Sequence, residues 1–106
     1  MRLGNIKTRL DKVGLSFEEA VLLAMIQDMG DEKVLASPLE NDGVRVMAVV
    51  ARSNNLRFAS PTTVQTYIGS LNRKNYIRKE ADEKDKRIMW VSITGLGEEL
   101  LESLQQ

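Results

Sequence analysis

The sequence predicts a mainly α-helical domain with one small β-hairpin, an α+β fold. Apolar residues recur at helical spacing in several segments, and two short runs near the C-terminal end alternate as strands do. Seven charged residues of both signs fill Glu80–Arg87 between those runs, as in a solvated hairpin loop. The 106 residues fit one domain, which we expect to comprise an N-terminal extension (1–15), a core (16–93) and a C-terminal helix (94–106).

Two helices are predicted in the first part of the chain. The first lies within 1–14 and ends at Gly14, because three apolar residues recur there at helical spacing: Ile6, Leu10 and Val13. The second begins at a capping box formed by Ser16 and Glu19, and we expect it to end at Gly30.

The following stretch carries mixed signals. Residues 31–42 are predicted to be irregular because Pro38 interrupts them, with Lys33–Ala36 able to pair briefly as a strand. Residues 43–55 have the valine content of a strand, but a cap at Asp42 favours a helix, which is our prediction. The apolar spacing that supports this helix comes from Met47, Val50 and Ala51.

The next helix has the clearest boundaries. Ser60 is a good N-cap, Pro61 suits the first helical position, and Asn75 can adopt the left-handed conformation that ends a helix. Its apolar stripe is Val64, Tyr67, Ile68 and Leu71. Its opposite face is polar and mostly short: Thr62, Thr63, Gln65, Thr66, Gly69, Ser70 and Arg73.

Two strands and a helix complete the chain. Tyr76–Glu80 and Arg87–Ile93 are the predicted strands, and Thr94 caps the last helix. In the second strand, alternation predicts one face with Met89, Val91 and Ile93 and another with Ile88, Trp90 and Ser92. The predicted buried side of the last helix is Leu96, Leu100, Leu101 and Leu104. A helix pair followed by a hairpin is the order of a winged helix-turn-helix.

Composition excludes several kinds of site. The chain has no cysteine and no histidine, which removes disulfides, thiolate metal sites and the commonest general base. The carboxylate pairs Glu18–Glu19 and Glu98–Glu99 fall at predicted helix starts, where they favour the helix dipole. We therefore predict no enzymatic activity, no metal and no cofactor. Neither a signal peptide nor a membrane-spanning run is evident, so we expect a cytoplasmic protein without membrane contact.

Charge is distributed unevenly although the net charge is zero. Residues 52–87 carry nine basic and four acidic side chains, a net charge of +5, whereas the segments before and after carry −2 and −3. Salt screens charges beyond about 8–10 Å, so the local excess matters more for phosphate contact than the total. This pattern suits either a mixed solvated surface or a basic face that binds DNA.

The polar face of the helix that follows Ser60 has the chemistry of a recognition helix. Gln can bond adenine in a bidentate way, and Thr can donate a hydrogen bond or touch the thymine methyl group in the major groove. Thr62 and Thr63 lie in the first turn, where backbone N–H groups attract phosphate. Alternatively, this face is only the solvated side of an amphipathic helix.

Residues 60–97 resemble the DNA-binding half of the multiple-antibiotic-resistance regulator (MarR) family. That family's hairpin reads Asp-x-Arg, an apolar strand, then Leu-Thr-x-x-Gly. Here Asp85-x-Arg87 is followed by IMWVS and then Ile93-Thr94-Gly95-Leu96-Gly97, with Ile in place of Leu. The resemblance implies that Arg87 approaches the minor groove and that Asp85 orients it, although an Asp–Arg pair can also merely stiffen a hairpin.

The leading hypothesis is a sequence-specific transcription regulator that binds double-stranded DNA. The helix at about 60–74 would enter the major groove, and the hairpin tip at 80–88 would lie near the minor groove. The residues predicted at the DNA interface are Ser60, Thr62, Thr63, Gln65, Thr66, Ser70, Arg73, Lys74, Lys84, Asp85, Lys86 and Arg87.

Two alternatives stay open at this point. A winged helix that binds another protein and no DNA would explain the zero net charge and the mixed-sign hairpin, and a replication or packaging factor could use the same fold. We also expect a homodimer through residues 1–14 and 94–106, since recognition helices usually act in pairs about one helical turn apart.

Overall fold

The computed structural model describes residues 3–36 and 43–105. Within those ranges it contains five helices and a three-stranded antiparallel sheet of order β1-β3-β2. The elements are α1 (Leu3–Val13), α2 (Phe17–Ala36), β1 (Val44–Arg45), α3 (Val46–Asn55), α4 (Pro61–Arg73), β2 (Ile77–Ala81), β3 (Met89–Ile93) and α5 (Gly95–Leu104). The predicted winged helix-turn-helix is confirmed: α3 and α4 form the helix pair, and β2 and β3 form the hairpin.

Helix α2 lies at the centre of the core. Leu22, Leu23 and Ile26 are almost completely buried, and α2 packs against α4, α5 and β3. The apolar stripe of α4 faces this core as predicted, with Val64, Ile68 and Leu71 fully buried and Tyr67 half-buried. Helix α4 is thereby held by its apolar side, and its polar side is left toward solvent.

The hairpin is fixed to the core by β3. Ile77 pairs with Ile93 and Ala81 with Met89, and the inward side chain of Val91 is fully buried. On the other edge of β3, Val44 pairs with Val91 and Arg45 with Trp90. This two-residue strand β1 was not predicted, and it joins the hairpin directly to the start of α3.

Three helices end in Schellman motifs, in which a left-handed residue allows two backbone hydrogen bonds to close the last turn. Gly14 ends α1 with a φ of +69°, and Asn75 ends α4 with a φ of 67°, both as predicted. At the end of α3 the left-handed residue is Arg57, with a φ of 55°. A non-glycine residue is sterically strained in the left-handed conformation, and the strain is smallest for short polar residues such as asparagine.

The predicted end of the second helix at Gly30 is wrong, and so is the predicted strand at Lys33–Ala36. Helix α2 continues through both to Ala36. Each added helical residue brings one more backbone hydrogen bond, so the penalty of about 1 kcal/mol for a single glycine does not end a long helix. The predicted interruption at Pro38 and cap at Asp42 lie outside the described residues.

The predicted apolar face of the third helix is also wrong in part. Arg45 is the N-cap of α3 without a side-chain hydrogen bond, and Met47 is 65% exposed. Ala51 is exposed as well, and the buried residues are Val46, Val49, Val50 and Ser53. Because β1 pairs with β3, α3 starts at Val46, and this start determines which valines face the core.

The structure differs from the sequence prediction in three smaller details. Leu96 is 49% exposed, so its predicted place on the buried side of α5 is wrong; Gly97 is buried there instead. Val13 is exposed on α1, whereas Leu10 is buried as expected. Strand β3 begins two residues later than predicted, and β2 begins one residue later because Tyr76 N closes the last turn of α4.

Candidate nucleic-acid interface

The N-terminal end of α4 is built by its cap. Ser60 adopts an extended conformation, and its hydroxyl accepts a hydrogen bond from the Thr63 backbone N–H at 3.3 Å and donates to Thr63 Oγ1 at 2.9 Å. One turn later, Thr66 Oγ1 donates to the Thr62 carbonyl at 3.1 Å. These bonds hold the short side chains close to the helix, so the polar surface of the first two turns projects little from the helix backbone.

The predicted polar face is exposed at three of the four predicted positions in these turns. Thr62, Gln65 and Thr66 are exposed, and Thr63 is half-buried beside its cap. A helix face whose side chains project little can approach base edges closely, whereas long side chains would hold the helix away.

The C-terminal end of α4 is engaged within the protein. Ser70 Oγ donates to Glu19 Oε2 at 2.6 Å, and Lys74 Nζ lies 3.2 Å from the same oxygen. Lys74 also donates to the Gly14 carbonyl at 2.7 Å. The structure therefore directs Ser70 and Lys74, both predicted at the DNA interface, toward the turn between α1 and α2.

Glu19 is the centre of this network and also completes the predicted capping box. Its Oε1 accepts from Ser16 N at 3.1 Å and from Ser16 Oγ at 2.9 Å, and Ser16 Oγ in turn accepts from Glu19 N at 3.2 Å. Burial alone would raise the pKa of Glu19, but the hydrogen bonds from Ser70, Ser16 and Lys74 together outweigh it and lower that pKa. The carboxylate thus joins α2 to α4 in its charged form.

The wing, residues 80–88, is held by a second carboxylate. Asp82 Oδ2 accepts from the backbone N–H groups of Lys84 and Asp85 at 3.1 and 3.0 Å, and its Oδ1 accepts from Trp90 Nε1 at 2.9 Å. The hydrogen bond from Trp90, followed by those from the backbone, lowers the pKa of Asp82. Asp82 therefore connects the loop to β3.

Asp85 and Arg87 form a bidentate pair at the base of the wing. Arg87 Nε and Nη2 donate to Asp85 Oδ1 and Oδ2, both at 3.0 Å, and Arg87 N also donates to Oδ1. The pair lowers the pKa of Asp85 and raises that of Arg87. The Arg87 side chain is 90% exposed, so it is oriented by Asp85 and still open to a partner.

A groove of about 160 Å³ lies between α4 and the wing, at the start of α3. It brings together Gln65 and Arg87, which are far apart in sequence, and adds Arg45, which sequence reasoning missed. Its remaining lining is Val46, Met47, Ile88 and Met89. The Arg45 guanidinium lies 5.5 Å from the centre of the Trp90 ring, a cation–π distance. The alternation in Val44-Arg45-Val46 was the sequence signal for an outward-facing arginine on a strand.

The other predicted residues lie on exposed parts of the same two elements. Arg73 is exposed near the end of α4, and Lys84 and Lys86 are exposed in the wing. Among the residues whose side chains the structure describes, 7–30 and 43–105, we find no group of three or more acidic side chains placed to hold a metal ion. No helix in residues 3–36 and 43–105 is long and apolar enough to span a bilayer.

No protein-family model matches the chain, and no curated protein matches it. Solved structures do. A MepR mutant from S. aureus bound to an oligodeoxyribonucleotide superposes with a TM-score of 0.72 at 19% identity, over 96% of this chain and 64% of that one. YusO from Bacillus subtilis gives 0.69 at 19% identity, over 94% and 60%. A mutant MarR from E. coli complexed with operator DNA gives 0.68 at 14% identity, over 95% and 61%.

The chain thus spans less than two thirds of the length of each of these three proteins. Over the superposed residues, the helix pair, the wing and the flanking helices are arranged as in those structures. The likeness in fold therefore covers nearly all of the chain, whereas the sequence resemblance covered residues 60–97. The protein has the winged-helix fold of the MarR-like transcription regulators.

Proposed function

We propose that the protein is a transcription regulator that binds double-stranded DNA in a sequence-specific manner and acts by binding and not by catalysis. Helix α4 enters the major groove, and the wing lies at the adjacent minor groove. The observation that carries this proposal is the placement of the exposed polar face of α4 beside the exposed Arg87, with both bordering one groove. The DNA-bound MepR and MarR structures of the same fold support it.

The proposed contacts divide by role. Gln65, with Thr62 and Thr66, reads base edges, because these side chains are exposed on the polar face of α4. Arg87 enters the minor groove, where a narrow A·T-rich groove concentrates negative potential. The remaining contacts are Thr63 on α4 and Arg73, Lys84 and Lys86 toward the phosphates.

Four predicted residues act indirectly in this proposal. Ser60 caps α4, and Asp85 orients Arg87. Ser70 and Lys74 fix the far end of α4 through Glu19 and are left out of the contact set. We further propose a single domain with the boundaries given above, and a homodimer formed through the terminal helices α1 and α5.

DNA selected from a randomised duplex library, with affinity then measured by fluorescence anisotropy at several salt concentrations, tests the proposal. We expect binding to weaken steeply as salt rises. Gln65→Ala should relax discrimination at one base position by about 1–3 kcal/mol, whereas Arg87→Ala should weaken binding by roughly tenfold. Asp28→Asn is the control, because it changes one exposed charge on α2, outside the proposed contacts and outside the helices of the proposed dimer.

If both variants bind the selected duplex as tightly as the unaltered protein, the assignment of Gln65 and Arg87 is wrong. If the unaltered protein shows no salt-dependent binding to any duplex, the proposed function itself fails.

A further inference from the structure

We propose that Arg45 is an additional DNA contact, whose guanidinium binds a backbone phosphate lying in the groove between α4 and the wing. The inference rests on the proposed function and adds to it a residue from outside both the recognition helix and the hairpin loop.

The backbone of Arg45 is fixed on both sides. It is the last residue of β1, paired with Trp90, and also the N-cap of α3. Its side chain is exposed, and its guanidinium carbon Cζ lies over the Trp90 ring, 5.5 Å from the ring centre. A guanidinium held over an aromatic face by a cation–π contact keeps its N–H groups available to an acceptor such as phosphate. The head group is therefore held in place without using its hydrogen-bonding capacity on the ring.

The charges around the groove favour an anion. Arg45 and Arg87 are the charged residues among those that line it, and Asp85 is the carboxylate paired with Arg87. The positive charge of Arg45 is close enough to contribute to the lowered pKa of Asp85, after the hydrogen bonds from Arg87. The lining of the groove thus holds two guanidinium groups and no carboxylate, since Asp85 is paired with Arg87 outside the lining and Asp82 is bonded to the indole N–H of Trp90.

The geometry of the duplex indicates which anion would lie there. Adjacent major and minor grooves are separated by one sugar–phosphate strand. A protein that places a helix in one groove and a wing in the next must straddle that strand. In this structure the space between Gln65 and Arg87 is the groove lined by Arg45. A phosphate of the straddled strand would meet the Arg45 guanidinium, which suits bidentate phosphate binding.

Arg45→Gln tests the inference, because it removes the charge and the guanidinium while keeping a polar, shorter side chain. Two fluorescein-labelled probes are used: a duplex of mixed sequence, and the duplex selected from the randomised library. A phosphate contact does not read sequence, so we expect the same loss on both, roughly tenfold, and a salt slope that is shallower by about 1. Gln65→Ala should instead weaken binding mainly to the selected duplex, and Asp28→Asn, on an exposed part of α2, should leave both affinities and the slope unchanged.

Arg45→Lys separates phosphate contact from a purely structural role on Trp90. Lysine keeps the charge but not the planar guanidinium with its paired donors, so we expect it to restore the salt slope and part of the affinity. If Arg45→Lys and Arg45→Gln lose the same affinity and melt at the same lowered temperature, the residue is structural and the inference is wrong. If Arg45→Gln binds within twofold of the unaltered protein with an unchanged slope, the inference is also wrong, although the proposed function stands. If the unaltered protein shows no salt-dependent DNA binding, both fail.

Discussion

Thr94 and Gly97 bring the end of β3, the start of α5 and the end of α4 together. Thr94 Oγ1 accepts from Gly97 N at 3.1 Å and donates to the Asn75 carbonyl at 2.7 Å. Gly97 lies so close to the Tyr76 carbonyl that no Cβ fits, and a Cβ there would also be 2.7 Å from Ile93 Cγ1. The Thr-x-x-Gly pattern that suggested a family resemblance therefore has a steric cause in this chain: one residue caps α5, and the other lets it approach.

Gly97→Ala should destabilise the protein by about 1–3 kcal/mol, because α5 must move away from the carbonyl of Tyr76. Gly95→Ala is the matched control, since a Cβ at Gly95 meets nothing within 4 Å and alanine favours the helix. Urea unfolding measures both. If the two variants have equal free energies of unfolding, a Cβ at position 97 does not destabilise the protein, and this prediction is wrong.

At the scale of elements, the two ends of α4 differ in how they are held. Its first turns rest on their own cap and on buried apolar residues, whereas its last turn is bonded to Glu19 on α2. Arg9 on α1 donates to the Ser103 carbonyl, which connects α1 to α5. The exposed side chains proposed to read base edges thus lie in the first turns of α4, and the opposite end is joined to the helical body through Ser70 and Lys74.

Glu19→Gln should lower stability at neutral pH by about 1–3 kcal/mol, because Lys74 and Ser70 lose a charged acceptor in a mostly buried position. The pKa of Glu19 is lower in the folded protein than its ordinary value of 4.5, so the unfolded chain binds this proton more tightly. The stabilisation is then fully present above about pH 4.5 and is lost as pH falls through the lower folded pKa.

Chemical unfolding at a series of acid pH values, followed for the unaltered protein and Glu19→Gln, measures this difference. We expect the two stability curves to converge at the acid end. Glu18→Gln, which alters an exposed carboxylate on the same turn, serves as the control. Curves that stay parallel down to the acid limit would contradict the role given to Glu19.

For the whole molecule, sequence signals that act over a few residues predicted more of the structure correctly than signals for contacts between distant parts of the chain did. The start and end of α4 followed from Ser60, Pro61 and Asn75, because caps act over three or four residues. Strand β1 could not be predicted in the same way, since it forms only when Val44 reaches Val91. Likewise, Ser70 looked like a DNA contact because its acceptor, Glu19, is 51 residues away.

The absence of histidine has a consequence for the whole molecule. Ordinary carboxyl groups titrate below about pH 5, and between about pH 5 and 8 histidine is the side chain that titrates normally, which this chain lacks. The described carboxylates with resolved shifts, Glu19, Asp82 and Asp85, all have lowered pKa values. We therefore expect stability and DNA affinity to stay constant between about pH 5.5 and 7 at fixed ionic strength. A titration midpoint inside that window, in either measurement, would contradict this expectation.

The direct junction of β1 with α3 also bears on DNA shape. One residue, Arg45, ends the strand that pairs with the hairpin and begins the first helix of the helix pair, so no linker separates the wing from α4's partner helix. The span between α4 and the wing, the two elements proposed to contact DNA, is then a fixed length that a bound duplex would have to match. Sites whose twist and groove width already fit that span should bind with the least deformation energy, and the protein would choose among DNA sequences by their stiffness at base pairs it never touches.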